Sequence, residues 1–127
     1  MDKKRILIIE DEADMMEMVK FRLEASGFEV ICASDGEAGL DKAAKENPDL
    51  ILLDLMLPRI DGYKVCRELK SDEGYRRIPI VIFTARASER EREMGLDCGA
   101  EAYITKPFEP QALVDKINEL LEQPYLN

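Results

Sequence analysis

The sequence predicts an α/β domain in which five parallel strands alternate with five helices. Short apolar runs recur along the 127 residues, and a segment with helical character follows each run. Three of the runs are unbroken and rich in Ile, Val and Leu, which is typical of strands covered by helices on both faces. Because parallel neighbours need a crossover connection, this strict alternation favours a parallel sheet with right-handed crossovers.

Each predicted strand is an apolar run bounded by polar or turn residues. The five runs are residues 6–9, 28–32, 50–53, 80–83 and 102–104. With five strand–helix units, the expected strand order is 2-1-3-4-5, that of the flavodoxin-like doubly wound fold. In this order the second strand lies at an edge of the sheet and the third at its centre.

The predicted helices fill the intervals between the strands. They span residues 13–26, 36–46, 62–71, 87–98 and 110–122. Gly27 and Gly99 supply stops for the first and fourth helices, and Pro48 discourages continuation of the second. The fifth helix carries the clearest amphipathic stripe. We expect residues 1–127 to form one domain, with the chain ending a few residues after this helix.

Composition excludes several classes of function. The chain has 18 Lys and Arg against 27 Asp and Glu, a net charge of -9, which disfavours direct binding of nucleic acid. It has no histidine, which excludes Ser-His and Cys-His catalysis and the usual zinc sites. Cys32, Cys66 and Cys98 are far apart, so we expect reduced, mostly buried thiols in a cytoplasmic protein. No apolar run is long enough for a signal peptide or a membrane span.

Polar side chains follow four of the predicted strands at the point where each strand ends. They are Glu10, Asp11 and Glu12 after the first strand, Asp54 after the third, Thr84 at the end of the fourth and Lys106 after the fifth. Ligands of open parallel sheets bind beyond the carboxyl ends of the strands. We therefore expect these side chains to meet at one rim of the sheet.

The predicted cluster favours metal-assisted phosphoryl transfer. Adjacent carboxylates raise one another's pKa unless a cation lies between them, and Mg²⁺ suits a few protein carboxylates with water completing its shell. A metal, an ammonium and a hydroxyl neutralise charge on phosphoryl oxygens, while an aspartate can accept the group as an acyl phosphate. Taken singly, Asp11 or Asp14 is equally consistent with a helix N-cap, and Lys106 with a solvated turn.

Four stretches of the sequence resemble the receiver domain of bacterial two-component response regulators, the CheY-like fold. They are residues 6–12, 53–62, 80–85 and 99–108, and the resemblance covers essentially the whole chain. It implies that Asp54 accepts a phosphoryl group. It also implies that Glu10, Asp11 and Asp54 hold Mg²⁺ together with the backbone carbonyl of Met56. The first acid of this family is usually Asp, whereas this chain has Glu10.

The same resemblance assigns roles to the two last strands. Thr84 would hydrogen-bond one phosphoryl oxygen, and Lys106 would pair with another. The peptide bond before Pro107 would be cis. Tyr103 would be the switch aromatic: as the Thr84 hydroxyl moves toward the phosphoryl group, Tyr103 would turn inward and change the face formed by the fourth helix, fifth strand and fifth helix.

The resemblance also implies partners. A sensor histidine kinase or a histidine phosphotransfer protein would supply the phosphoryl group, and a downstream effector or fused output domain would receive the signal. Ala102 precedes the switch aromatic where DNA-binding dimers of the family carry an acid, and the fifth helix has Asp115 and Asn118. We therefore expect a monomer or weak dimer without direct nucleic-acid binding.

Three other functions remain as alternatives. An aspartyl phosphatase needs a second acid two residues after its nucleophile, a position held here by Met56. A flavin-binding module needs a phosphate-binding loop after the first strand, where this chain has acids. A pseudo-receiver scaffold would not need Asp54, Thr84 and Lys106. The chain is thus expected to be a phospho-acceptor switch rather than a conventional enzyme, with Met56 and Arg86 flanking the site and slowing hydrolysis.

Overall fold

A computed structural model describes residues 3–86 and 88–122 and contains the predicted α/β architecture. Five parallel strands form one sheet in the order β2-β1-β3-β4-β5, which confirms the predicted fold class and strand order. The elements along the chain are β1 Arg5–Ile9, α1 Ala13–Ala25, β2 Glu29–Ala33, α2 Gly36–Glu46, β3 Leu50–Leu53, α3 Gly62–Ser71, β4 Ile80–Thr84, α4 Glu89–Asp97, β5 Ala102–Thr105 and α5 Pro110–Leu121.

The predicted element boundaries agree with the observed ones to within two residues. The largest difference is at α4, which begins at Glu89 because the Ser88 hydroxyl caps it by accepting a hydrogen bond from the Glu91 amide at 3.1 Å. The predicted start of this helix at residue 87 lies outside the described residues. So do residues 1–2 and 123–127 of the predicted domain.

The core consists of two apolar layers, one on each face of the sheet. The central strand β3 is wholly buried, and its side chains alternate between the layers. Helices α1 and α5 cover one face, and α2 and α3 pack against the other. Burial on both faces explains why the strands read as continuous apolar runs.

A glycine places the start of α3 against the end of β3. A Cβ atom on Gly62 would lie 2.5 Å from the Leu55 Cα and 2.6 Å from the Asp54 carbonyl oxygen, closer than real side chains approach. The Gly62 amide also donates a hydrogen bond to the Leu55 carbonyl at 3.2 Å. The helix is then capped by Asp61, whose carboxylate accepts from the Tyr63 amide at 2.8 Å.

At the amino edge of the sheet, a partly buried ion pair joins the last turn of α3 to the residue before β5. The Lys70 ammonium lies 2.8 Å from the Glu101 carboxylate and also donates to the carbonyls of Arg76 and Ile78, at 3.0 and 2.8 Å. The other carboxylate oxygen of Glu101 accepts from the Ile80 amide at 2.8 Å. The ammonium nitrogen and both carboxylate oxygens of this pair are thus hydrogen-bonded within the protein, which offsets the cost of their partial burial.

The three cysteines are free thiols, as predicted. Cys66 is fully buried, and burial raises the pKa of its thiol to about 12. The prediction of mostly buried thiols is wrong for Cys32 and Cys98, which are only partly buried, because Cys32 lies on the edge strand β2 and Cys98 directly follows α4. Among the described helices, none is both long enough and apolar enough to cross a membrane.

Candidate functional site

The polar residues predicted at the strand ends lie along the carboxyl edge of the sheet. Asp54 follows the central strand and is 4% exposed, and Glu10 follows β1 and is 2% exposed. Asp11 lies beside them with its side chain in solvent. The carboxylate oxygens of these three residues come within 4.8 Å of one another, so the sequence correctly predicts their clustering.

The ammonium of Lys106 bridges the two buried acids. Its Nζ lies 2.5 Å from Glu10 Oε1 and 3.1 Å from Asp54 Oδ2, and 4.8 Å from the centre of the Phe83 ring. Burial lowers the pKa of Lys106, but the hydrogen bond to Glu10 and the charge of Asp54 outweigh it and raise this pKa above its usual value. Lys106 therefore stays charged, and the solvated-turn alternative is wrong for its side chain. The Lys106–Pro107 peptide bond is cis.

Two backbone amides complete the surroundings of the buried carboxylates. The Glu12 amide donates to Glu10 Oε2, and the Met56 amide donates to Asp54 Oδ1, each at 3.1 Å. Burial is the largest influence on Glu10 and raises the pKa of its carboxyl, although the Lys106 and Glu12 hydrogen bonds lower it. Each oxygen of Glu10 and Asp54 thus has one protein donor, and a carboxylate oxygen has room for a second partner.

The donor set fits a divalent cation of the magnesium type. Three carboxylates and one ammonium carry a formal charge of 3 × (-1) + 1 = -2, which one divalent ion would neutralise. The donor atoms are all hard oxygens, and the exposed side of the group leaves space for coordinated water. The helix-cap alternative for Asp11 and Asp14 is wrong, because the residue at the N-cap of α1 is Glu12.

A cleft opens above the acids. The described residues that line it are Glu10, Asp11, Glu12, Asp54, Met56, Ala85 and Lys106. Thr84 is not part of this lining: it is fully buried at the end of β4, and its Oγ1 accepts a hydrogen bond from the Arg86 amide at 3.4 Å. Glu12 lies at this rim as the sequence predicts, whereas Ala85 was not predicted there, although it directly follows Thr84.

Tyr103 and Arg86 are placed differently from the sequence-based expectation. The ring of Tyr103 is already buried, 6% exposed, and its hydroxyl donates to the Arg86 carbonyl at 2.8 Å. It fits there because a Cβ on Gly95 would come within 2.8 Å of the ring, so only glycine leaves the space. The Arg86 side chain does not cover Asp54. It lies over Tyr63, with its guanidinium 5.8 Å from the ring centre, and 3.6 Å from the Glu91 carboxylate.

Comparison with known proteins identifies the class that this fold and site define. The sequence model of the response regulator receiver domain matches residues 6–118. The chain belongs to this family, the CheY-like domains of two-component systems.

Several curated relatives are transcriptional regulators. The chain is 42% identical over 120 residues to the alkaline phosphatase synthesis transcriptional regulatory protein PhoP of Bacillus subtilis, covering 94% of this chain and 49% of that protein. It is 44% identical over 120 residues to the phosphate regulon transcriptional regulatory protein PhoB of Escherichia coli, covering 94% of this chain and 52% of that protein. The chain therefore spans about half the length of these relatives.

Solved structures of receiver domains superpose closely on the chain. A CheY-like response regulator receiver domain protein from Methanospirillum hungatei gives a TM-score of 0.89 at 33% identity, covering 95% of each chain. The receiver domain of a sensor histidine kinase from Pseudomonas aeruginosa gives 0.89 at 31% identity, covering 96% of this chain and 100% of that one. In that structure a magnesium ion is coordinated in the active site cleft.

Proposed function

We propose that the chain is a phospho-acceptor switch in which Asp54 receives a phosphoryl group. The observation that carries this proposal is the buried Asp54 carboxylate at the end of the central strand, 3.1 Å from the Lys106 ammonium and grouped with Glu10 and Asp11. A buried carboxylate exposed to a cleft on one side, with its charge balanced by neighbours, has the geometry of an oxygen nucleophile.

The remaining site residues neutralise and orient the group. Glu10, Asp11, Asp54 and the backbone carbonyl of Met56 would hold Mg²⁺, which supplies positive charge to the phosphoryl oxygens when bound. Lys106, 3.1 Å from Asp54, supplies a second positive charge. The Thr84 hydroxyl would donate a hydrogen bond to a phosphoryl oxygen after turning toward it.

A phosphohistidine donor would lie outside this sequence, because the 127 residues contain no histidine. An Asp54 oxygen attacks the phosphorus of a phosphohistidine, the P–N bond breaks, and its electron pair stays on the imidazole, which is then protonated by solvent. The phosphoryl group is thereby transferred to Asp54 as an acyl phosphate. A histidine kinase or histidine phosphotransfer protein is the proposed partner that would carry this phosphohistidine.

The test uses a small phosphodonor and intact-mass measurement. The chain is incubated with acetyl phosphate in Mg²⁺ or in EDTA, beside the variants Asp54→Asn and Asp14→Asn. We expect one phosphoryl adduct in the wild type and in Asp14→Asn, only with Mg²⁺, and none in Asp54→Asn. A labelled Asp54→Asn variant, or equal labelling in EDTA, would contradict the proposal. No labelling of the wild type under any condition favours the pseudo-receiver scaffold.

The geometry of the site disfavours both the phosphatase and the flavin-binding alternatives. At the position where a phosphatase would carry its general acid, Met56 offers only a thioether and a backbone amide already bonded to Asp54. In the flavin-binding alternative, the acids that line the cleft would repel a cofactor phosphate. We propose that the chain catalyses only its own phosphorylation and dephosphorylation.

The output is proposed to leave through the face formed by α4, β5 and α5. Thr84 and Tyr103 both contact Arg86, at its amide and its carbonyl, so a rotation of the Thr84 hydroxyl reaches the loop on which Tyr103 depends. Since Tyr103 is already inward, phosphorylation would stabilise this arrangement against an outward one, which is a shift of population rather than a new fold.

The output route is tested by backbone NMR with and without beryllofluoride, which mimics the phosphoryl group on Asp54. We expect shifts around residue 54 and also across residues 88–108. Shifts confined to the surroundings of residue 54 would refute this route. A downstream effector or a fused output domain would read the face. Binding of nucleic acid by this chain itself is disfavoured by its net charge of -9.

A further inference from the structure

A polar contact joins α3 to the first turn of α4. Tyr63 is buried in α3, and its hydroxyl reaches two acceptors of Glu91: the backbone carbonyl at 3.1 Å and the side-chain carboxylate. Burial and the Glu91 hydrogen bond raise the pKa of Tyr63 above its usual value. The hydroxyl therefore keeps its proton and remains a donor to Glu91.

The same carboxylate also binds a cation from the loop before α4. Arg86 Nη1 lies 3.6 Å from Glu91 Oε2, and the guanidinium lies 5.8 Å from the centre of the Tyr63 ring. Glu91 thus holds a hydroxyl donor from α3 and a guanidinium from the β4–α4 loop at once. Each contact is partly screened by solvent, but together they fix three segments of chain to one carboxylate.

Apolar packing holds α4 only weakly. Within Glu89–Asp97 only Gly95 is buried, while Met94 and Leu96 are 41% and 45% exposed. An element with few buried apolar contacts opens at low free-energy cost, so polar contacts at its first turn contribute a large share of its attachment.

Arg86 connects this polar contact to the proposed switch. Its amide donates to Thr84 Oγ1 and its carbonyl accepts from the Tyr103 hydroxyl, while its side chain contacts Glu91 and Tyr63. One residue therefore meets both the hydroxyl proposed to move and the carboxylate that holds α4.

We propose that Tyr63, Arg86 and Glu91 form a latch that fastens the first turn of α4 to α3 and sets how readily the α4–β5–α5 face changes. The fastening itself is independent of phosphorylation. Its effect on the response to phosphorylation rests on the function proposed above.

Amide hydrogen exchange on the unmodified protein tests the fastening. Tyr63→Phe removes the donor and keeps the ring. Tyr75→Phe is the matched control. Tyr75 lies on the α3–β4 connection, outside α4, and its hydroxyl makes no hydrogen bond within the described residues. We expect the hydrogen-bonded amides of residues 91–94 to exchange about tenfold faster in Tyr63→Phe, the factor that one lost hydrogen bond of ordinary net strength gives. Unchanged exchange there, or an equal increase throughout the sheet, would overturn the latch.

A second pair of variants isolates the carboxylate. Glu91→Gln keeps an acceptor for Tyr63 but loses the attraction to Arg86, whereas Glu89→Gln removes the same charge from the same helical turn without touching the latch. We expect faster exchange of α4 in Glu91→Gln than in Glu89→Gln. Equal effects would mean that charge at the helix start, rather than the latch, is responsible.

The link to the switch is measured separately, by titrating beryllofluoride and following Tyr103 amide shifts. In Tyr63→Phe the shifts should saturate at a severalfold higher concentration than in the wild type. The latch is part of the inward arrangement of Tyr103 that the ligand would stabilise, so without it more of the ligand's binding energy is spent on reaching that arrangement. Equal midpoints would refute this link. If neither protein responded to beryllofluoride, the proposed phospho-acceptor function would be contradicted. The amide exchange of α4 would still show whether the latch fastens α4 to α3.

Discussion

Removing one acid from the cluster should stabilise the metal-free protein while weakening its response to magnesium. The variant Asp11→Asn keeps the shape of the side chain and removes its charge. Asp11 has two like charges, Glu10 and Asp54, within 4.8 Å, and the opposite charge of Lys106 is held between those two. Counting two repulsions and one attraction, we treat the Asp11 carboxylate as subject to one net repulsion between unit charges about 4.8 Å apart.

The magnitude follows from this separation. Two unit charges 4.8 Å apart interact by about 0.9 kcal/mol in water and about 3.5 kcal/mol at an effective dielectric of 20. Asp11 is exposed, so the lower limit applies, and we expect a gain of about 1 kcal/mol. For a domain of this size, this raises Tm by about 4 °C. By contrast, Mg²⁺ at ten times its Kd should add about 1.4 kcal/mol to the wild type.

Thermal melts in EDTA and in millimolar Mg²⁺ measure both effects. Asp14→Asn is the control, since it makes the same change of net charge at an exposed residue outside the cluster. We expect Asp11→Asn to melt above the wild type in EDTA and to lose most of the Mg²⁺-dependent rise, while Asp14→Asn keeps that rise. The electrostatic reasoning is refuted if Asp11→Asn melts no higher than the wild type in EDTA, or if Mg²⁺ raises Tm equally in both.

Three further outcomes are expected. Gly62→Ala should lower the free energy of unfolding by about 1 to 3 kcal/mol in urea melts, because its Cβ would meet backbone atoms. The control Gly74→Ala should change it by less than about 0.5 kcal/mol. Equal effects of the two substitutions would contradict the close approach at Gly62. Cys66 should resist iodoacetamide at pH 8.5 in the folded protein, since burial raises the pKa of its thiol to about 12. The partly buried thiols of Cys32 and Cys98 should react faster. Equally rapid labelling of all three thiols would contradict the burial of Cys66. In Met56→Asn, phosphoryl loss from Asp54 should be severalfold faster than in the wild type, as a polar side chain admits water to the cleft; identical decay would remove Met56 from control of hydrolysis.

The strands and the acid cluster were predictable because their physical causes are local. A run such as Leu50–Leu53 identifies a strand buried on both faces, and the residue after it must lie at the carboxyl edge once the sheet is parallel. The strand order then brings Glu10, Asp54 and Lys106 together. The arrangement of the charges could not be predicted, because nothing in the sequence indicates that Lys106 lies between two acids.

The latch could not be predicted from the sequence, because Glu91 is indistinguishable there from the acids beside it. Residues 88–93 alternate Glu and Arg after a serine, so any of these acids is equally plausible as a solvated side chain. Only the distance between α3 and α4 selects Glu91 as the partner of Tyr63. The expectation that Arg86 covers Asp54 is not met for the same reason: position in the loop predicts proximity to the site, whereas the neighbouring carboxylate and aromatic ring decide where the guanidinium lies.

The Lys70–Glu101 pair lies beside the carboxyl end of α4 and helps to fix that end of the helix in place. The stem of Lys70 packs against Gly99 directly after the helix, and the Cys98 carbonyl accepts from the Cys66 thiol at 3.6 Å, so the far end of α4 is tied to the core. Nine residues of helix measure about 13 Å, and a tilt of about 10° pivoting there carries the first turn by about 2 Å. A small change near Arg86 would thus displace the first turn of α4, where the charged side chains lie, more than the residues close to Gly99.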